Sequence, residues 1–333
     1  MNLGKLGQAL TAREIFDLIQ DELDQVEQRL SAESVASVDA VTAIGQYLQS
    51  SGGKRLRPAL LLLSAKLTGH CGPAAIQLGA VVELIHAATL VHDDVIDAAQ
   101  TRRGRPSSNV KWGNHTCVLA GDWLYMQSFH IALRERNFQV LDLLIGLTQM
   151  MVEGELLQLE RIGRIDVTEA DCMELEDRKT ACLFSVCARL GVIAANGDNR
   201  TQERLGEYAW NLGMAFQLVD DVLDFTAREK ILGKPVGGDL REGKVTLPLV
   251  YALEQASSAE RRLVETILER RNYDEVPFAR ILALLEKYNA IERVKDRAQA
   301  FTDKARAIIG EFPESAYQRA LLAVTELVTE RDH

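Results

Sequence analysis

Asp93, Asp94 and Asp97, in the run Asp-Asp-Val-Ile-Asp, and Asp220, Asp221 and Asp224, in the run Asp-Asp-Val-Leu-Asp, are two copies of one acidic pattern set far apart in the chain. Residues four apart on a helix share a face, so Asp93 with Asp97 and Asp220 with Asp224 would each project like charges one turn apart. Asp is a poor helix former and like charges at this spacing repel, so each pattern calls for a cation. Carboxylates with room for water suit Mg²⁺, which binds through a few carboxylates together with substrate phosphates rather than in an all-protein cage. Two such faces set opposite each other would clamp a diphosphate through several metal ions. A single copy in an acidic protein fits a solvated helix face equally well. Two copies flanked by Leu90-Val91-His92 and Phe216-Gln217-Leu218-Val219 do not.

Cationic residues stand where a diphosphate would need them. Ser51-Gly52-Gly53 ends one apolar segment and Lys54-Arg55-Leu56-Arg57-Pro58 leads into the next, with Pro58 suited to a first helical turn. Basic residues at a Gly-rich helix start make an anion site, because free backbone N–H groups and the helix dipole add to the side-chain charge. Arg102 and Arg103 follow the first acidic pattern and could grip phosphate oxygens in bidentate fashion, although the same loop also suits a helix stop whose arginines complement the dipole. His86, seven residues before Asp93, lies near the same helical face and could donate to a phosphate; an isolated histidine is more often a core residue. Lys179, between Arg178 and Thr180 in apolar sequence, could reach a leaving phosphate or snorkel to the surface. Residues 228–248 are rich in Gly and Lys, including Lys234 and Lys244, and read as a mobile segment where a lid would be useful.

The elements that must position these residues read as helices almost throughout. Of the 333 residues, 47% are apolar, and they recur at helical spacing without a low-complexity linker, which predicts one all-α bundle over residues 1–333 with no run of alternating strands. Two amphipathic helices are expected over 11–48 with a break near 31–37. Long helices are expected over 74–99, 121–146, 147–161 and 174–190, and charged amphipathic ones after Ser257. A net charge of -10 and a pI near 5.2 exclude a general nucleic-acid binder. The cysteines, Cys71, Cys117, Cys172, Cys182 and Cys187, form no CxxC pair and read as reduced thiols of a cytoplasmic protein. The apolar stretch 59–63 is too short to cross a bilayer, and no transmembrane segment is expected.

Taken in order, Gly52-Gly53-Lys54-Arg55-Leu56-Arg57-Pro58, His86, the first acidic pattern with Arg102-Arg103, Lys179-Thr180, Gln217 ahead of the second pattern, and Lys234 and Lys244 resemble the trans-isoprenyl diphosphate synthases, the polyprenyl synthetase family. The likeness spans residues 45–250 and is greatest to the long-chain, octaprenyl members. It implies the isoprenoid-synthase helical fold with a central active-site cavity, a homodimer, and head-to-tail condensation of isopentenyl diphosphate with an allylic diphosphate. It also implies Mg²⁺, about three ions with the allylic diphosphate bound, on Asp93, Asp97 and Asp220, with Asp94, Asp221 and Asp224 in support. Arg102, Lys179 and Lys234 would hold the allylic diphosphate, and Lys54, Arg57, His86 and Arg103 the isopentenyl one; Thr180, Gln217 and Lys244 complete the substrate contacts. The released diphosphate would accept the proton. A long product would serve quinone side chains and leave by peripheral membrane contact.

Product length should be set one turn upstream of the first aspartates, at Ala88 and Thr89, whose small size implies an open tunnel. Ile85 continues that wall, and Met126 and Phe129 are candidate floor residues. Each turn advances about 5.4 Å, roughly one prenyl unit. A farnesyl or geranylgeranyl product is the shorter alternative. A terpene cyclase would need more aromatic residues than the 6% present, and a non-catalytic synthase subunit would not need both acidic patterns. A di-iron bundle would rest on Glu83 to His86 plus Glu330 to His333 at the chain end.

Overall fold

Helix-period sequence becomes helix over nearly all of residues 10–226 and 236–329, the part of the chain described by this computed structural model. α1 (Ala12–Asp17), α2 (Gln20–Glu33) and α3 (Asp39–Ser50) come first. Thr11 starts α1 with a capping box: its hydroxyl accepts from the Glu14 N–H and the Glu14 carboxylate accepts from the Thr11 N–H. The expected break falls between Glu33 and Asp39.

α4 (Leu56–Thr68) and α5 (Pro73–Ile96) form the centre with α10 (Cys182–Ala194) and α11 (Asn199–Thr226). Leu60 to Leu63 are buried on every side of α4, each contributing about 1.5–3 kcal/mol of apolar transfer. Backbones meet closely there: a Cβ on Gly191 of α10 would stand 2.2 Å from the Leu61 carbonyl oxygen, so only glycine allows this approach. Among the described residues α5 alone is long and apolar enough to cross a membrane, with 61% of its most apolar window buried. Its composition follows from being a core helix, enclosed by α4, α10 and α7 (Asn114–Leu133).

The segment expected to hold two helices holds three, with an extra break between Asp17 and Gln20, and two further boundaries differ from expectation. The helix predicted to run 121–146 ends at Leu133, and α8 (Phe138–Arg161) continues through Gly146. The polar run 134–137 breaks the chain: Arg136 adopts φ 51, and the Asn137 side chain caps α8 by accepting from the Gln139 N–H at 2.9 Å. The predicted helix 174–190 is α9 (Glu169–Glu176) joined to α10 through one π-helical turn, Asp177–Ala181. A short hairpin, β1 (Thr101–Arg102) with β2 (Arg105–Pro106), precedes α6 (Ser108–Trp112). After α11 come α12 (Gly238–Glu242), α13 (Leu247–Leu253), α14 (Ser258–Arg270), α15 (Phe278–Lys287), α16 (Ala290–Gly310) and α17 (Ala316–Thr329). α16 packs along α11, and Tyr208 of α11 is fully buried with its hydroxyl donating to the Leu321 carbonyl at 2.6 Å.

Candidate active site

The C-terminal end of α5, the C-terminal half of α8, the π turn, the end of α11 and α12 surround a cavity of about 1160 Å³. α5 stops at Asp97, whose N–H donates to the Asp93 carbonyl at 2.9 Å. The chain then reverses through a two-residue turn in which Arg103 and Gly104 take φ 52 and 72, the positive values that a type I′ hairpin requires. Asp94 holds this reversal together. Fully buried, it accepts from Arg102 Nε at 2.6 Å, from the Ser108 N–H at 2.9 Å and from Ser108 Oγ at 2.7 Å. Tyr47 of α3 fixes the other side, donating to the Pro106 carbonyl at 2.8 Å under the Arg105 guanidinium. Asp94 therefore supports the site by aiming Arg102 and does not line the cavity.

One wall is cationic. Arg57, His86, Arg102 and Arg103 all line it. Arg57 Nη1 lies 3.2 Å from His86 Nε2, and because arginine has only donors, Nε2 accepts and Nδ1 carries the proton. His86 thus orients Arg57 through Nε2, where the sequence pointed to a phosphate donor. Burial, then the charges of Arg57, Arg103 and Arg102, hold its pKa well below the ordinary value, so the ring is neutral. Burial together with Arg102 and Arg55 also lowers the Arg103 pKa, and Arg103 makes no hydrogen bond or ion pair among the described residues. Such a patch suits a dianion. Lys54 is exposed and outside the lining, and Lys234 lies outside the described residues.

The rest of the polar lining is acidic, with lysines interleaved. Burial pushes the Asp93 carboxyl up to about 6, Glu155 and Asp97 adding to the shift while Lys179 opposes it. Asp97 accepts from Lys244 Nζ at 2.9 Å, and Glu242 holds the same ammonium at 2.7 Å. Burial alone would depress Lys244, yet these carboxylates raise its pKa. Lys179 projects from the π turn to Glu155 at 2.6 Å and Gln158 at 3.0 Å. Trp210 Nε1 donates to Asp177 at 2.6 Å and so locks that turn, while Gly154 makes room, since a Cβ there would stand 2.8 Å from Arg178 Cβ.

On α11, Asp220 is exposed to the cavity and Asp221 is buried beneath it. Thr180 Oγ1 donates to Gln217 Oε1 at 2.9 Å, and Gln217 Nε2 donates to Asp221 Oδ1 at 3.2 Å. Burial, and next the neighbouring Glu176, raise the Asp221 pKa well above the carboxylate range. Its Oδ2 has no hydrogen-bond partner among the described residues. Asp224 does not share the cavity face with Asp220, because α12 covers it: Asp224 accepts from the Asp239 N–H at 3.2 Å, and its carbonyl from the Gly237 N–H at 2.7 Å.

Among the described residues no three His, Cys, Asp or Glu side chains converge tightly enough to hold a metal alone. Mg²⁺ does not require that, since it is normally completed by waters and substrate phosphates. Asp93 and Asp97 on one wall and Asp220 on the other are donors of the right chemistry, facing a shared cavity. The sequence reading missed Glu155, Gln158, Tyr125 and Asp239, which also line it. Glu155 was visible only as part of Glu153-Gly154-Glu155, with nothing to show which carboxylate turned inward.

Of the residues expected to wall the tunnel, one lines this cavity. Thr89 lines the cavity, whereas Ala88 and Ile85 are fully buried in the core and outside its lining. Met126 is 63% exposed on the outer face of α7, and Phe129 packs on the core outside the lining. One helical step of 100° from Met126, Tyr125 turns into the cavity near Asp93. The approximate helix boundary left its facing undetermined.

A helical enzyme whose cavity brings two aspartate patterns together with an arginine patch belongs among those that handle diphosphates. Residues 38–285 match the polyprenyl synthetase family, and the chain belongs to it. It is a transferase, a polyprenyl diphosphate synthase of the trans-prenyl type. The octaprenyl diphosphate synthase of Haemophilus influenzae is 35% identical over 320 residues, 96% of this chain and 97% of that one. A short chain isoprenyl diphosphate synthase of Methanothermobacter thermautotrophicus is 33% identical over 326 residues, 96% of this chain and 99% of its own length. The polyprenyl synthase of Caulobacter crescentus, solved with calcium and isoprenyl diphosphate, superposes with a TM-score of 0.93 at 33% identity, covering 98% of this chain and 99% of that one.

Proposed function

We propose that the enzyme condenses isopentenyl diphosphate head-to-tail with an allylic diphosphate to give a long, all-trans, octaprenyl-like polyprenyl diphosphate for quinone side chains. One observation carries the reading: a single cavity joins an arginine patch at Arg57 and Arg103 to an aspartate and lysine patch at Asp93, Asp97, Asp220, Lys179 and Lys244. Two anions of different metal demand have two different seats.

The arginines seat isopentenyl diphosphate, and Lys54 is assigned to the same seat by resemblance. Mg²⁺ held by Asp93, Asp97 and Asp220 would supply Lewis-acid neutralisation of the allylic diphosphate. Arg102, kept in place by Asp94, and Lys179 with Lys244 stabilise the charge that develops on the departing diphosphate. Lys234 is assigned to the same task by resemblance. Thr180 and Gln217 hold the second aspartate pair in register. The allylic carbon is left electron-poor against the isopentenyl double bond, which both seats orient. Leu183, Phe216, Leu156 and Val152 give that region an apolar lining. Proton loss to the released diphosphate completes the step.

The apolar face of Leu119, Met126 and Leu133 on α7 and Phe138 and Ile145 on α8, exposed in one chain, supports a homodimer working as one domain per copy in the cytoplasm, with peripheral membrane contact for product release. A shorter product is the second reading, favoured by Tyr125 in the cavity and by the short-chain relative. Purified enzyme with Mg²⁺, labelled isopentenyl diphosphate and individual allylic primers tests both. Chains of about eight units are expected; products stopping at three or four would select the shorter reading, and no condensation with any primer would sink both.

A further inference from the structure

Arg55 is the arginine of the Lys54-Arg55-Leu56-Arg57 run whose side chain is consumed inside the protein. Its Nε and Nη2 donate to Glu27 of α2, the latter at 3.0 Å, and its Nη1 donates to Glu83 of α5 at 2.8 Å. The backbone at Arg55 is left-handed, φ 47 and ψ 32, a conformation disfavoured for a residue with a Cβ and held here by the clamped side chain. Glu83 is buried, and Arg57 and Arg103 lie within its electrostatic reach. Between the two arginine tips the loop has no slack: a Cβ on Gly53 would meet Nη1 of both Arg55 and Arg103 at 3.4 Å.

We propose that Glu27, Arg55 and Glu83 form a positioning triad for the isopentenyl diphosphate seat, none of them touching substrate. The inference rests on the functional reading above. Two carboxylates around one guanidinium leave one net negative charge beneath Arg57 and Arg103. That charge offsets the repulsion between these arginines while the seat is empty, and the clamp on Arg55 sets the loop that carries Lys54 and Arg57. It also gives α2, which showed no chemistry in sequence, a part in substrate binding through Glu27.

Glu83→Gln and Glu27→Gln keep shape and remove one charge each. Glu27 retains 39% side-chain exposure, so its variant does not threaten folding, and thermal melting monitors both. In steady-state kinetics with each substrate varied in turn, both variants should raise the KM for isopentenyl diphosphate, Glu83→Gln by about tenfold and Glu27→Gln by less. kcat and the KM for the allylic primer should stay within about twofold of the parent. A KM for isopentenyl diphosphate unchanged in both variants, or both KM values rising together, overturns the triad while the activity stands. Failure of the parent enzyme to condense the two substrates would instead break the functional reading and the triad with it.

Discussion

The two acidic patterns have nearly the same sequence and are built into the site in different ways. At the end of α5 the outer residues, Asp93 and Asp97, line the cavity while Asp94 turns inward to hold Arg102 and Ser108. On α11 it is Asp220 and Asp221 that line it, and Asp224 is drawn away under α12. The difference follows from what comes next in the chain. A helix that must reverse into a hairpin uses one carboxylate to tie the reversal; a helix overlaid by α12 uses its last carboxylate to receive that element. An i,i+4 spacing states which residues share a face of an ideal helix, and the packing beyond the helix decides which of them the substrate meets.

The comparison breaks most sharply at the cavity-facing aspartates. Asp93→Ala and Asp220→Ala should each cut condensation by about three orders of magnitude or more, equivalent to roughly 4 kcal/mol of barrier. The metal-free melting temperature should not fall, because both variants remove like-charge repulsion. Near-normal turnover in either variant would rule out a clamp that needs both walls.

Asp94 should behave in the opposite way to its neighbour. Asp94→Asn disturbs three buried hydrogen bonds, one to a guanidinium, and should cost about 2–4 kcal/mol of stability, with activity lowered through a misplaced Arg102. Asp93→Asn should leave stability near that of the parent. Urea titration of the two variants, with circular dichroism as the probe, separates them; equal midpoints would mean that Asp94 is not the tie the hydrogen bonds describe.

The chain-length wall turns on the same question of facing. Thr89→Phe should shorten the product while condensation of a short primer persists, and Tyr125→Ala should lengthen it. Ala88→Phe should instead overpack the core at a cost of about 1–3 kcal/mol without a selective change in length. Chromatography of labelled products distinguishes these outcomes. If Ala88→Phe shortens the product and Thr89→Phe does not, the cavity face assigned to α5 is wrong.

What could be read from sequence was whatever repeats locally. Helical period gave the all-α class, and acidic and basic clusters gave the substrate chemistry, because both depend on residue type at short spacing. The use of each residue depends on partners from elsewhere in the chain. Ala88 and Thr89 are adjacent, and a one-residue step on a helix turns 100°, so choosing between them required the position of α7 and α8. Tyr125 and Glu155 escaped notice for the same reason. Arg55, given no role between Lys54 and Arg57, is held by Glu27 and Glu83, which no local pattern could reveal. The short hairpin, two residues per strand, was too brief to show alternation, although Arg103-Gly104 marks its turn.

The smallest expected effect lies on the cationic wall and concerns pH. His86 faces Arg57 of α4, Arg102 and Arg103 of the hairpin, and Arg55 at the start of α4, and burial with these charges keeps it neutral far below its ordinary range. In the unfolded chain the imidazole titrates near 6.5 or so, as in model peptides. Below that pH the unfolded state therefore takes up a proton that the folded state refuses. The contribution to stability is present in full above about pH 6.5 and is lost as pH falls toward the folded pKa, with a limiting slope of about 1.4 kcal/mol per pH unit for one proton. His86→Gln removes the titrating group and preserves an acceptor for Arg57. Denaturant midpoints measured from pH 8 down to pH 5 in the presence of a chelator should fall less steeply for this variant than for the parent. Parallel profiles would show that His86 already takes up its proton in the folded protein, and the orientation of Arg57 by a neutral ring would have to be given up.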